Sequence, residues 1–410
     1  MQTNLMPSLL DTPLGQEADE ILRRCVHCGF CTATCPTYQI LGDELDSPRG
    51  RIYLIKEMLE GSPVTPTTQV HLDRCLTCRN CETTCPSGVA YGHLIDIGRQ
   101  MAAQEVKRTV TDRATREVLR TVLGSRWFGP MYRIGQALRG WLPPVLKNKV
   151  LARRDPGALP NHTASHARQV LMLNGCVQPG MMPSIDAATI RVLDKLGIGT
   201  QVAAGSGCCG AMNFHLDAHE QARSQMRANI DVWWPLLNSG QIEAVVMNAS
   251  GCGAMVREYG HHLRMDPAYA EKAKLVSDRV MDVAQLLAPM ASELSQKLDR
   301  TLLPEKTVFH PPCTLQHWQG LRPVSETLLQ EVGFDLQPFE ETHLCCGSAG
   351  TYSVLQPEIA TSLRDRKLGH IEKSQPSVIV SSNIGCIGHL QSGTQTPVRH
   401  WIEVVDQAMR

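Results

Sequence analysis

Two twelve-residue stretches, "CVHCGFCTATCP" (25–36) and "CLTCRNCETTCP" (75–86), constrain this chain more than anything else in it. Each writes C-x2-C-x2-C-x3-C-P: Cys25, Cys28, Cys31, Cys35 and Pro36, then Cys75, Cys78, Cys81, Cys85 and Pro86, an offset of 50. Sixteen cysteines in 410 residues need a common cause. The chain opens without a basic region followed by an apolar core, so no export signal is visible. A reducing compartment disfavours a disulfide framework. Scattered cysteines can serve as small buried hydrophobes, but that leaves the regular spacing unexplained. Ligation of a metal or cluster explains it.

A second repeat follows at an offset of 137. Cys176 maps onto Cys313, Cys208 onto Cys345, Cys209 onto Cys346 and Gly210 onto Gly347. A looser pair, "NASGC" ending at Cys252 and "SNIGC" ending at Cys386, lies 134 apart. Repetition at two scales predicts a multidomain chain. The expected division is a two-cluster domain over 1–105, a basic helical connector over 106–165, and two Cys-Cys-Gly repeats over 166–295 and 296–410.

The two parts differ in period. "GQEADEILRR" and "RGRIYLIKEMLEG" (49–61) read as helices, and no good strand is visible around the first boxes. This predicts an α-helical ferredoxin-like domain. Beyond residue 166, apolar runs such as "RQVLMLNGC", "EAVVMNASGC", "KTVFHPPC" and "SVIVSSNIGC" read as buried strands ending at a cysteine. Helical stretches such as "SIDAATIRVLDKLG" separate them. Alternating strand and helix predicts an α/β domain with a mostly parallel sheet, whose strand ends are where such sheets gather ligands.

C-x2-C-x2-C-x3-C-P is the bacterial ferredoxin spacing for a cubane iron–sulfur cluster, and in two-cluster ferredoxins the Cys before Pro serves the other cluster. The expected ligand sets are therefore Cys25, Cys28, Cys31 and Cys85 for one [4Fe–4S] cluster, and Cys75, Cys78, Cys81 and Cys35 for a second. Structural zinc takes four thiolates from two C-x2-C pairs and has no use for a third close cysteine and a Cys-Pro in each box. His27, inside the first box, reads as a solvent-facing neighbour, because the thiolates already complete the site.

Each half of the second repeat offers four thiolates: Cys176, Cys208, Cys209 and Cys252, then Cys313, Cys345, Cys346 and Cys386. Adjacent cysteines can approach one centre together, and Gly210 and Gly347 let the backbone turn around it. Soft thiolates select iron–sulfur or zinc, so an additional cluster or metal ion is expected here. "GSGCCG" (205–210) also fits G-x-G-x-x-G, but "HLCCGSAG" in the second copy keeps the cysteines and drops the first glycines. His310, His317, His343 and His389 surround the second set. Cys386 and His389 are spaced as a C-x2-H pair, where the first half has Met255.

Lys+Arg and Asp+Glu are both 40, so no basic excess suggests a nucleic-acid partner. No run of apolar residues is long enough to span a bilayer. The connector is locally different: residues 107–154 hold twelve Lys or Arg against two Asp or Glu, with Trp127, Phe128, Tyr132 and Trp141 interleaved. Such a segment can lie on an anionic membrane surface or form a subunit contact. Nothing in the chain reads as a flavin or nicotinamide site.

The stretches "RRCVHCGFCTATCPTYQILGDELDSPRGRIYLIKEMLEG", "HLDRCLTCRNCETTCPSGVAY", "HLCCGSAGTY" and "VRHWIEVVDQA" resemble iron–sulfur subunits of membrane-linked flavoenzyme systems. These include the anaerobic glycerol-3-phosphate dehydrogenase small subunit, the heterodisulfide reductases and, most similar, the glycolate oxidase (glycolate dehydrogenase) iron–sulfur subunit. The resemblance implies an electron-transfer subunit of a complex oxidising glycolate, with D-lactate a second candidate. An FAD-containing subunit would remove the hydride, and this chain would relay electrons towards a quinone at the cytoplasmic face of the inner membrane. The heterodisulfide pattern closes each repeat with C-x2-C; here those places read "CGAM" (252–255) and "CIGH" (386–389). That departure counts against the rival reading, a self-contained thiol/disulfide reductase. A third reading makes the second repeat a scaffold with structural metal only.

Overall fold

The computed structural model describes all residues except 126, 144–146, 148–149, 161–165, 174 and 410. Arg126, Pro144, Lys149 and the end of the expected connector therefore lie outside the described residues. The chain forms two compact units, residues 1–116 with 341–367, and residues 117–340 with 368–410.

The first unit is helical, with no strand among its described residues. Prolines set its helix starts, because the ring fixes a helical φ where the missing N–H costs nothing. Pro13–Arg24, Pro48–Leu59 and Pro66–Asp73 each follow a hydroxyl cap: Thr12, Ser47 and Thr65 accept from the backbone N–H three residues on. The predicted helix at 49–61 is the Pro48–Leu59 helix, closed beyond its end by Gly61 at φ 98°. It crosses the helix Tyr91–Glu105 where Gly98 meets Ile55; a Cβ at Gly98 would stand 2.5 Å from Ile55 Cγ1. Leu22, Ile55, Leu59, Leu72, Leu94 and Ile95 form the sealed core. The proline after each box acts differently. Pro36 starts the helix Pro36–Leu41, whereas Pro86 leads into a turn.

The segment 341–367, remote in sequence, packs within this same unit. Tyr352 Oη donates to the Arg74 carbonyl at 2.9 Å, and Asn80 Nδ2 donates to the His343 carbonyl at 3.2 Å.

The second unit holds two parallel sheets. Strands β1 (Arg168–Met172), β2 (Ile198–Gln201), β3 (Ala244–Met247) and β4 (Val280–Asp282) run in the order β2-β1-β3-β4. Strands β5 (Thr307–Phe309), β6 (Val378–Ser381) and β7 (Val398–His400) run β5-β6-β7. Every ladder is parallel. β3 and β6 are buried along their whole length, as sheets covered on both faces require. The second half reduces the β2 position to a single parallel bridge, Thr307 with Leu336.

The strands end before the cysteines rather than at them. Cys252 and Cys386 sit in the first turn of the helices Ser250–Arg257 and Ile384–Gln391, because the chain leaves the sheet directly into a helix. The halves meet through the helices Pro183–Lys195 and Trp401–Ala408. There Arg191 Nε donates to both Asp406 oxygens at 3.0 Å, and Ser184 Oγ donates to Glu403 Oε1 at 2.7 Å. The connector is helical over Val110–Leu123 and Phe128–Ala137, but residues 151–160 form neither helix nor strand.

Candidate iron–sulfur sites

The first unit contains two neighbouring thiol-lined cavities. The larger is lined by Cys25, Cys28 and Cys31 from the first box and by Cys81 and Cys85 from the second. The smaller is lined by Cys75, Cys78 and Cys81 from the second box and by Cys35 from the first. Cys81, Tyr91 and Pro48 border both, so the cavities share a wall.

The loops around them are bent by matched left-handed residues. His27 (φ 54°) and Gly29 (φ 84°) in the first box correspond to Thr77 (φ 50°) and Arg79 (φ 57°) in the second. Three of these four carry side chains, a backbone cost that functional loops bear. Alternation of this kind aims successive N–H groups inward, which favours an anionic occupant. Donors already reach the sulfurs: Thr77 N to Cys75 Sγ at 3.4 Å and Tyr91 Oη to Cys75 Sγ at 3.6 Å. Thr37 Oγ1 lies 3.3 Å from Cys35 Sγ.

Without a cation this crowd of sulfurs favours its protons. Burial, then the neighbouring Cys25, pushes the Cys31 thiol up to about 11. Burial likewise raises Cys35, and it raises Cys81 further, with Cys78 and Cys75 adding to it. A metal centre would replace those protons, since thiolates are the ligating form. The convergent thiols fit a cubane cluster in each cavity, and in the smaller one N–H and O–H donors stand behind them. His27 is half-buried and lines the larger cavity; burial first, then the chain's amino terminus, lowers its pKa and favours the neutral ring.

The cavities differ in exposure. In the larger, Cys28 is exposed, Cys31 and Cys85 are partly so and Cys25 is buried; in the smaller, Cys78 is partly exposed and Cys35, Cys75 and Cys81 are buried. They also differ in charge. Arg51, fully buried, lines the smaller cavity and binds the buried Asp46; sequence reasoning passed over both. The signal was present: Arg51 shares a helical face with Ile55, Met58 and Leu59, where an arginine needs a reason.

In the second unit the four thiols of the first repeat come together. Cys208 is held well below the usual thiol range by hydrogen bonds with Cys176 and Cys209. Cys176 is pushed up, by Cys208 first and burial second, and Cys209 by Cys208, Cys252 and burial. Gly210 N donates to Cys208 Sγ at 3.5 Å, and Gly347 N donates to Cys345 Sγ at 3.4 Å in the second repeat. Both glycines have a left-handed φ, 91° and 89°. A Cβ there would meet a helix carbonyl, Ala222 O at 3.1 Å and Ala360 O at 2.4 Å respectively.

The second-repeat cysteines divide between the units. Cys345 and Cys346 belong to the segment packed in the first unit; Cys313 and Cys386 belong to the second. Cys313 precedes a π-helical turn, Thr314–Trp318. Cys386 Sγ accepts from Asn383 Nδ2 at 3.7 Å. The buried His310, which spacing did not single out, lies within 4.8 Å of Cys386. His310 follows β5 directly, and parallel pairing with β6 carries it to Cys386, a contact no local spacing encodes.

A helical domain with two thiol-lined cavities, joined to α/β repeats rich in cysteine, defines an iron–sulfur protein. Family descriptions agree: residues 21–89 match a 4Fe-4S dicluster domain, and residues 170–257 and 307–391 match a cysteine-rich domain. The glycolate oxidase iron-sulfur subunit of Escherichia coli (strain K12) is 51% identical, across 100% of this chain and 99% of that protein. The "Probable glycolate oxidase iron-sulfur subunit" of Bacillus subtilis (strain 168) is 29% identical, across 91% and 89%. Lactate utilization protein A of Geobacillus thermodenitrificans (strain NG80-2) is 28% identical, across 54% of this chain and 92% of that protein. The chain belongs to the family of glycolate oxidase iron–sulfur subunits.

Proposed function

We propose that this chain is the electron-transfer subunit of a complex that oxidises glycolate, with D-lactate a second candidate, to the 2-oxo acid. A flavin-containing partner removes the hydride, and this chain carries the two electrons onward towards a quinone. Bound [4Fe–4S] clusters supply the one-electron chemistry. The chain's own residues hold them: Cys25, Cys28, Cys31 and Cys85 in the larger cavity, and Cys75, Cys78, Cys81 and Cys35 in the smaller. The observation that carries this reading is the grouping of each box's last cysteine with the other box's first three around adjoining cavities. The shared wall of Cys81 and Tyr91 keeps the transfer distance short.

Cys176, Cys208, Cys209 and Cys252 form a further thiolate site. The complex sits peripherally on the cytoplasmic face of the inner membrane. In support, Trp127, Met131, Ile134, Leu138 and Trp141 form an exposed stripe at helical spacing beside Arg133 and Arg139, and no described helix is long and apolar enough to cross a membrane.

The test is anaerobic co-purification with the flavin subunit, iron and sulfide analysis, and glycolate addition under EPR. Iron of about eight atoms per chain or more, for two cubanes, and glycolate-driven reduction are expected. Fewer irons, or clusters that glycolate cannot reduce through the partner, would overturn the reading.

A further inference from the structure

One guanidinium in the first unit is sealed from water beside the smaller cavity. The Arg51 side chain is 0% exposed, as is its partner Asp46. Arg51 Nε donates to the His71 carbonyl at 2.7 Å, Nη1 to Thr37 Oγ1 at 3.1 Å and Nη2 to Asp46 Oδ1 at 3.2 Å. Asp46 Oδ2 also accepts from Arg74 Nη1 at 2.9 Å, and Oδ1 faces His71 Nδ1 at 3.1 Å. One carboxylate thus serves two guanidiniums, the sealed Arg51 and the 32% exposed Arg74, which leaves the group with a net positive charge. Thr37 Oγ1 stands 3.3 Å from Cys35 Sγ, so a single hydroxyl separates Arg51 from a sulfur of the smaller cavity. Arg79, also buried, lines that cavity too.

The larger cavity lacks this arrangement. Its one lining guanidinium, Arg49, is 37% exposed and is matched one-to-one by Glu44 at 2.8 Å. Water screens such a pair. Burial of a guanidinium is costly, and an aliphatic residue would complete the helix face that Ile55 and Leu59 begin. Stability alone therefore does not account for Arg51. Charge near a cluster does, because reduction adds a negative charge whose energy depends on nearby charges, hydrogen bonds and exposure. A buried cluster suffers most from that added charge, since low-dielectric surroundings screen it least.

We propose that Arg51 sets the reduction potential of the cluster held by Cys75, Cys78, Cys81 and Cys35. Its buried charge favours the reduced state and offsets the burial that would otherwise pull this cluster out of reach of electrons from the exposed one. Asp46, Thr37 and the His71 carbonyl hold Arg51 in place, Arg74 anchors the other oxygen of Asp46, and Asp46 subtracts part of the Arg51 field. This inference rests on the two-cluster ligand sets proposed above.

The test is an EPR-monitored redox titration of the purified holoprotein, with Cys25→Ser used to assign the signals. Arg51→Gln is expected to shift the electron equilibrium between the clusters at least tenfold away from the buried one, a fall of about 59 mV in its midpoint. The exposed cluster keeps its midpoint. Arg51→Lys, which retains the charge, restores most of the difference, and Asp46→Asn raises the buried midpoint. Equal shifts of both clusters, or no shift with iron content intact, would overturn the proposal. If Arg51→Gln fails to assemble its cluster, Asp46→Asn decides, and the absence of a rise there overturns it. A wild-type chain with one cluster signal would instead refute the ligand sets, before any variant is titrated.

Discussion

Cys35 illustrates how one atom can belong to a partner fifty residues away. It closes the first box in sequence, yet its sulfur lines a cavity with Cys75, Cys78 and Cys81. If ligation follows that grouping, Cys35→Ser and Cys75→Ser each remove the same cluster, and the double variant loses no more iron than either alone. Cys35→Ser with Cys25→Ser loses both clusters, about eight irons in all. Iron analysis with EPR of the four proteins separates crossed from uncrossed ligation. Gly347 and Gly210 make a second comparison. Both need a left-handed φ, but a Cβ at Gly347 would meet Ala360 O at 2.4 Å and one at Gly210 would meet Ala222 O only at 3.1 Å. Gly210→Ala should cost about 1–2 kcal/mol, the ordinary penalty for a left-handed L-residue. Gly347→Ala should cost more, because the Ala360 carbonyl must also move; urea-transition midpoints of the two variants measure the difference.

At the scale of elements, the helix Phe128–Ala137 and its flanks carry a stripe that the described fold leaves exposed, with Trp141 at 89%. Much of the connector's positive charge is engaged elsewhere. Arg108 and Arg116 pair with Asp73 and Asp112, and Arg154 pairs with Glu403. Binding to anionic vesicles should therefore depend on the stripe more than on those arginines. Replacing Trp141 and Met131 with serine should abolish co-flotation with anionic vesicles, while Arg108→Gln should leave it intact. Flotation unaffected by the serine variants would discard the membrane role of this element. The closing helix Trp401–Ala408 shows a different local device. His400 Nδ1 accepts from Ile402 N at 3.1 Å, and Glu403 reaches back to the His400 N–H, a reciprocal cap.

Across the second unit, two buried titratable groups oppose each other. Burial, against weaker lowering by the Ala284 N–H and Arg257, raises Asp282 from 3.8 to about 7. Burial lowers His400 from 6.5 to about 4, and its Nδ1 is committed to accepting from Ile402 N. Asp282 favours the fold when protonated, so its contribution is present below 3.8 and lost as pH rises through about 7. His400 favours the fold when neutral, so its contribution is present above 6.5 and lost as pH falls towards about 4. Between these limits the two slopes nearly cancel. Asp282→Asn removes one of them while keeping an oxygen for the Ala284 cap, which Asp282 Oδ1 now makes at 2.9 Å. The variant should gain about 2–4 kcal/mol at pH 8 and lose stability steadily on acidification from pH 6.5 to 4. Urea midpoints across pH 4 to 8 test both signs, and a flat profile in the variant would contradict the assignment.

The sequence by itself determined whatever depends on a few consecutive residues. Box spacing specified loops of convergent thiols, Pro and Ser specified where helices begin, and apolar runs specified strands buried on both faces. Those features are local because spacing, φ restriction and capping act within a turn or two of chain. Only the tertiary structure decided what meets across long separations. It paired Cys35 with the second box in one cavity, set His310 beside Cys386, and brought segment 341–367 into the N-terminal unit. It also turned Arg51, one polar residue in an amphipathic helix, into a dry charge whose carboxylate partner, Asp46, is shared with Arg74. Burial and electrostatic neighbourhood arise from how helices pack, and no spacing along the chain encodes them.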